Sequence, residues 1–243
     1  VLSPDPDGGR SFRFQPGPVF AHLLLADEIN RTPPKTQAAL MEAMEEGQVT
    51  SAGRRHAIEA PFLVLATQNP IEQEGTYPLP AAQLDRFLVM IRVGYPDRDD
   101  ERRMVRRTTS RPRRPLEPAL RREDVLALQA SVRAMPADES VVAHAVATAR
   151  ATRPGPGAAE GIGDWVSFGV GPRAAGALLL AAKARAALAG RPGPTRDDVR
   201  EVARPVLRHR LVLSFRAAAE GVGPDAVVER ALAAADAPAA RVG

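Results

Sequence analysis

Residues 19–26, Val-Phe-Ala-His-Leu-Leu-Leu-Ala, form a nearly continuous apolar run that stops at two acids, Asp27 and Glu28. A short apolar run bounded by charge predicts a strand of a parallel sheet, buried because helices cover both faces. Residues 33–46 follow as a predicted helix. Pro33 and Pro34 suit its first turn, Leu40, Met41 and Met44 supply an apolar stripe, and Gly47 stops it. The stretch Val49 to Ile58 holds a turn at Ala52-Gly53 between two extended pieces, which predicts a hairpin. Residues 62–66 are a second buried strand, ending in Thr67-Gln68-Asn69-Pro70; residues 81–86 are a short helix, and 87–93, Phe-Leu-Val-Met-Ile-Arg-Val, are a third strand. Residues 1–18, rich in Pro, Gly and Asp, read as a loop leading into a short strand in which Phe12 and Phe14 alternate.

Beyond Asp97 the period changes. Helical patterns cover about 99–109, 122–134, 138–152, 172–189, 195–208 and 224–235, with a loop at Arg153-Pro-Gly-Pro-Gly157 and no internal repeat. Thr195 with Asp198 three residues on marks a helix start. Alternating strands and helices followed by helices alone predict an α/β domain over 1–96 and a helical domain over 97–243, joined by a linker at about 97–115.

Composition narrows the function classes. The chain has 243 residues, 44% hydrophobic and 26% charged, which is ordinary for a soluble globular protein. No run approaches the length of a membrane span, and Val1-Leu2-Ser3-Pro4-Asp5 lacks the basic and apolar regions of a signal peptide. With no cysteine there are no disulfides or thiolate metal sites, and His22, His56, His144 and His209 show no ligand spacing. The formal charge of +4 points weakly at nucleic acid. The basic residues are mostly arginines interleaved with acids, as in Asp97-Arg-Asp-Asp-Glu-Arg-Arg103, a solvated helical face, and no basic patch is interleaved with aromatics. The one concentrated basic run, Arg111-Pro-Arg-Arg114, reads as a solvated linker.

Four features carry candidate chemistry. Ligands of open α/β sheets bind at the carboxyl ends of strands, where Asp27 can hold Mg²⁺ through water and Glu28 can polarise an attacking water. Two acids after a strand can equally cap the next helix. Asn69 ends the second strand and would face the same crevice, or it is a turn residue before Pro70. Arg86, in Leu84-Asp-Arg-Phe87, makes a structural ion pair or reaches a neighbouring subunit's nucleotide. Arg173, in Gly169-Val-Gly-Pro-Arg-Ala174 at a helix start, reaches phosphates or lies in solvent.

Taken together, these residues resemble the MoxR family of AAA+ ATPases, within the helix-2-insert branch that includes magnesium-chelatase subunits. The resemblance runs through Phe14-Gln-Pro-Gly-Pro-Val-Phe20, Leu25-Ala-Asp-Glu-Ile-Asn-Arg31, Pro34-Lys-Thr-Gln37 and Leu40-Met-Glu-Ala-Met-Glu-Glu46. It continues through Ala66-Thr-Gln-Asn-Pro70, Glu74-Gly-Thr-Tyr-Pro-Leu-Pro80, Gln83-Leu-Asp-Arg-Phe87, Gly171-Pro-Arg-Ala174 and Pro205-Val-Leu-Arg-His-Arg210. It implies a partial AAA+ parallel sheet sandwiched by helices, followed by an all-α lid. It implies ATP and Mg²⁺ as cofactors, with Asp27 (the Mg²⁺ ligand, via water) and Glu28 as the Walker B pair and Asn69 as sensor 1. Arg86 would be an arginine finger acting in trans, Arg173 would be sensor 2, and residues 48–60 would form the hairpin before sensor 1. The implied protein is a cytoplasmic chaperone-like ATPase that remodels or matures partners. It would work as a ring, usually a hexamer, often with a von Willebrand factor A domain protein, with no nucleic acid and no membrane span.

The family's Walker A loop is not among these residues. Lys35 and Lys183 are the only lysines, and neither follows a Gly-rich loop. The loop is expected upstream of Val1. Its strand would sit between the sensor 1 strand and the last strand of the sheet, so the 243 residues alone are expected to fold poorly and not to hydrolyse ATP. The family's usual Ser is Gly171 here, and the text before Phe14 is shortened. Alternative readings are a magnesium-chelatase-like motor subunit, a scaffold without ATPase activity, and a DNA-unwinding motor. The wording Ile29-Asn30-Arg31 and Leu207-Arg-His-Arg210 favours MoxR.

Overall fold

The computed structural model describes residues 14–69, 74–110, 117–155 and 158–237, with the backbone of two short strands at 2–4 and 10–12. The basic run at 111–114 lies outside the described residues. The chain divides into two compact units, residues 1–86 and 87–243.

The first unit opens with strands β1 (Leu2–Pro4) and β2 (Arg10–Phe12), paired antiparallel. Strands β3 (Leu23–Ala26) and β6 (Leu63–Ala66) pair in parallel, with Ala26 opposite Ala66, so both chains leave the sheet at the same edge. Between them lie helix α1 (Pro34–Glu46) and the hairpin of β4 (Gln48–Ser51) and β5 (Arg54–Ala57). α1 starts with Pro34, whose missing N–H would have no helical partner anyway, and ends on Gly47 in the left-handed region at φ 63°. Ala52 and Gly53 both take positive φ, as a two-residue hairpin turn with the right-handed twist of its strands requires. Helix α2 (Ala81–Leu84) closes the unit.

The paired strands differ from the expected strand buried on both faces. Leu23, Leu25, Leu63 and Leu65 are 58%, 63%, 54% and 50% exposed, while Leu24, Ala26, Val64 and Ala66 on the opposite face are half-buried. The apolar run foretold two covered faces; in the described residues one face is open. The strand also starts at 23 rather than 19, because Val19 to His22 form a turn.

The second unit contains helices α3 (Arg98–Thr108), α4 (Arg122–Ala134), α5 (Glu139–Ala151), α6 (Ile162–Trp165), α7 (Pro172–Leu188), α8 (Arg196–Leu207), α9 (Phe215–Ala219) and α10 (Pro224–Asp236). A short antiparallel pair, β7 (Val166–Phe168) with β8 (Val212–Leu213), breaks the expected all-helical pattern. The acids and arginines of α3 face solvent along its whole length, with Asp97 accepting from the backbone N–H groups of Asp99 and Asp100 to cap it. The core packs α5, α7, α8 and α10 around Ala145, Ala149, Leu178, Ala182, Val199, Ala203, Val206, Leu207 and Val228. Its many alanines let the helix backbones approach closely, so small changes in volume are felt.

Residues 87–93, expected as a third strand, are irregular. Their polar groups are answered by the end of α8 instead of by a neighbouring strand. Met90 N–H donates to Pro205 O at 2.8 Å, and the Arg210 guanidinium donates to Phe87 O at 2.7 Å and Leu88 O at 3.1 Å. His209 Nε2 lies 3.0 Å from Phe87 O. The apolar run was a correct sign of order, but its backbone bonds go to the Pro205 carbonyl and to the side chains of Arg208, His209 and Arg210 instead of to a strand.

Candidate functional site

The acids sit where the parallel pair ends. Thr67 N–H donates to Ala26 O at 3.1 Å and Ile29 N–H donates to Thr67 O at 3.0 Å, so the ladder runs one step past both strands. Between those bonds Glu28 adopts φ 50° and ψ 49°, the left-handed region, which a non-glycine residue rarely enters outside a functional or turn position. Glu28 then leads into the single 3₁₀ turn Ile29–Arg31. Ile29 is buried and anchors that turn, and the buried Gln37 side chain of α1 donates from Nε2 to Ile29 O at 3.2 Å and Tyr77 O at 3.0 Å. The segment after the acids is thereby tied to α1.

The Thr67 hydroxyl lies between the two acids. It accepts from the Glu28 backbone N–H at 2.8 Å and donates to Asp27 Oδ1 at 2.5 Å. Arg31 donates to Glu28 Oε2 at 3.1 Å, an exposed pair of small energetic weight. Asn69 follows two residues after Thr67 and is half-buried at the same strand end. Asp27, Glu28 and Asn69, expected to share a crevice, thus emerge from adjacent parallel strands at one edge.

Arg86 stands just past α2 and forms an ion pair with Glu45 of α1 at 2.8 Å; both side chains are about a third to two-fifths exposed. Arg173 is the second residue of α7 in the other unit, exposed behind its N-terminal Gly171-Pro172. The approach to it is held from α5. Val170 N–H donates to Thr152 Oγ1 at 3.0 Å, and Arg153 Nε donates to Val170 O at 3.0 Å. A Cβ on Gly169 would lie 2.5 Å from Thr152 O and 2.6 Å from Arg153 Cα, so only glycine permits this close backbone approach. At the start of α8, Asp198 is held well below the usual carboxylate range, mainly by the paired hydrogen bonds from Arg191 at 2.6 Å. It also accepts from Arg185 and from Thr195 N–H, completing the cap foreseen from Thr195 and Asp198.

The donor set suits a hard cation. Asp27 offers carboxylate oxygen hydrogen-bonded to the Thr67 hydroxyl, and Asn69 lies two residues further along the neighbouring strand end. Among the described residues no three His, Asp or Glu side chains converge as a closed metal cage. A cation here would rest on Asp27, water and phosphate oxygens, the mode Mg²⁺ favours.

Residues 5–89 match the model of the ATPase family associated with various cellular activities (AAA), and residues 158–231 match the AAA lid domain. Chaperone MoxR1 of Mycobacterium tuberculosis is 43% identical over 226 residues, covering 93% of this chain and 60% of MoxR1. Protein MoxR of Paracoccus denitrificans is 32% identical over 250 residues, covering 94% of this chain and 72% of that protein. The chain belongs to the MoxR family of AAA ATPases. Another relative of this MoxR-family chain is the uncharacterized protein YeaC of Bacillus subtilis, 43% identical over 95% of the chain and 70% of YeaC. A crystal structure of a protein from Cytophaga hutchinsonii, assigned as an ATPase, superposes with a TM-score of 0.87 at 36% identity, covering 96% of this chain and 71% of that one. The MoxR-family chain therefore spans about three-fifths to three-quarters of the length of these proteins. Among its described residues no helix is long and apolar enough to cross a membrane.

Three site residues had been missed as such. Thr67, Gln37 and Glu45 lie within the quoted motifs, yet only the folded chain shows what they touch. For Thr67 a signal did exist: it is the first residue past the second strand, level with the first acid.

Proposed function

We propose that this chain is the catalytic-acid and lid portion of an ATP-hydrolysing MoxR-type chaperone that remodels or matures partner proteins. The observation that carries the reading is the placement of Asp27 and Glu28 at the carboxyl end of β3, beside Thr67 and Asn69 leaving β6. Mg²⁺, when bound, neutralises charge developing on the phosphates. Asp27 would hold it through water. The Glu28 carboxylate would orient and polarise the attacking water, and Asn69 would fix that water or touch the terminal phosphate. Arg173 would reach the phosphates from the lid. Arg86 would leave Glu45 and approach the nucleotide of a neighbouring subunit, so the protein works as a ring, usually of six. A von Willebrand factor A domain protein is the further partner in this reading, and the setting is the cytoplasm. Since no Gly-rich loop ending in Gly-Lys-Thr/Ser is among the 243 residues, they alone are not expected to turn over ATP.

The test uses the longest in-frame product that contains this chain. It should hydrolyse ATP only with Mg²⁺, and Glu28→Gln and Arg86→Ala should each abolish turnover. Mixing those two inactive variants should restore part of it, because some sites then combine an intact Glu28 with a neighbour's intact Arg86. No Mg²⁺-dependent turnover would sink the ATPase reading, and failure of the mixture to regain activity would sink the role in trans.

A further inference from the structure

We infer that Thr67 is a positioning residue, a single hydroxyl that sets the orientation of the Asp27 carboxylate and the backbone of Glu28 together. The inference rests on the ATPase reading of these two acids. A hydroxyl has one proton to give and lone pairs to accept with. Thr67 Oγ1 uses both capacities here, donating to Asp27 Oδ1 at 2.5 Å and accepting from Glu28 N–H at 2.8 Å. The short bond to a carboxylate is the charge-assisted kind, and it restricts rotation of the Asp27 side chain.

The backbone of Thr67 adds a second pair of bonds. Its N–H donates to Ala26 O and its carbonyl accepts from Ile29 N–H. One residue therefore brackets the chain from Ala26 to Ile29 by four bonds, two to the acids themselves and two to the residues flanking them. Glu28 needs such a bracket, because its left-handed conformation at φ 50° persists only where the surroundings over-determine it. The side chains of Arg31 and Gln37 act further along the turn, on Glu28 Oε2 and Ile29 O. Thr67 touches both acids through one oxygen atom.

Two substitutions separate the hydroxyl from the shape of the side chain. Thr67→Val keeps the branched volume and removes both side-chain bonds; Thr67→Ser keeps the bonds and removes a methyl. They are made in the longest in-frame product. Hydrogen exchange at the Glu28 amide and the Mg²⁺ dependence of ATP turnover are read on each. Thr67→Val should speed Glu28 exchange about tenfold, raise the Mg²⁺ needed for half-maximal rate and lower kcat each by about tenfold, and leave KM for ATP within about twofold, the scale on which residues orienting a metal ligand act. Thr67→Ser should return every readout close to the parent. A Thr67→Val protein with parental exchange and parental Mg²⁺ dependence overturns the inference. So does a Thr67→Ser protein as impaired as Thr67→Val, since the branched shape and not the hydroxyl would then matter. If the parent lacks Mg²⁺-dependent turnover, or keeps it in Glu28→Gln, the ATPase reading falls by itself. Glu28 exchange in the two Thr67 variants then decides the clamp.

Discussion

The two units bury their apolar residues in opposite ways. In residues 87–243 four helices close over a continuous core in which Leu178, Val199, Val206, Leu207 and Val228 are fully inaccessible. Among the described residues of 1–86 the buried apolar set is thin (Ile29, Met41, Ala43, Ile58 and Leu79), and four leucines of the parallel pair face outward. The helical unit satisfies itself. The sheet unit is organised around the strand end that carries Asp27 and Glu28, and its β3–β6 pair has one uncovered apolar face among the described residues. A two-stranded sheet is marginal unless a face packs against something else. The proposed catalytic acids thus lie in the unit with less burial, and the lid domain in the unit with more.

The largest expected contrast comes from separating them. Expressed alone, residues 87–243 should melt in one cooperative transition followed by circular dichroism, while residues 1–86 alone should show none. A cooperative melt of 1–86 would break the comparison.

Next come single leucines. Leu178→Ala in α7 should cost about 3 kcal/mol in denaturant unfolding of the helical unit, since a fully buried leucine leaves a cavity. Leu25→Ala in the same 243-residue chain should cost well under about 1 kcal/mol, because the side chain is already exposed. Equal losses would erase the distinction.

A smaller loss, about 2 kcal/mol, is expected for Gly169→Ala, whose Cβ would strike backbone atoms of Thr152 and Arg153 that have little room to retreat. It should also disturb nucleotide response through Arg173 in the longer protein, which a fluorescent-nucleotide titration would show. Unchanged stability would mean the α5–α7 connection is softer than its contacts imply.

The mildest effect is pH-dependent. Burial lowers the His144 pKa, while Asp236 raises it and Arg200 and Arg196 oppose that gain. The fold therefore favours the neutral ring more than the unfolded chain does. Its contribution is present above the ordinary value of 6.5 and is lost as pH falls through it towards the lowered folded value. The Tm of the helical unit should decline from pH 7 to pH 5, and His144→Gln should flatten that slope. A slope unchanged in the variant would assign it to other groups.

Much of the architecture was legible because it is written in local chemistry. Pro34, Gly47, the Ala52-Gly53 turn and the Thr195–Asp198 cap each act within a few residues, and each stands where it was expected. The segment 87–93 was not legible. An apolar run announces order but does not say whether a strand or the side chains of Arg208, His209 and Arg210 will meet its carbonyls. The open face of Leu23, Leu25, Leu63 and Leu65 was missed for the same reason, since periodicity shows what should be covered and not what covers it. In the candidate site, Asp27, Glu28 and Asn69 could be located from strand ends. The Thr67 bridge, the Arg86–Glu45 pair and the left-handed turn at Glu28 join residues far apart in sequence or depend on backbone angles, which no spacing rule reports.

In the proposed mechanism Glu28 acts on the attacking water and not on nucleotide binding. Its most direct test measures binding and turnover on the same preparation of Glu28→Gln in the longest in-frame product. Nucleotide affinity should stay within about twofold of the parent while turnover falls by about a hundredfold or more, the pattern of a lost transition-state interaction. Turnover near the parental rate, or affinity lost in proportion to turnover, would contradict it.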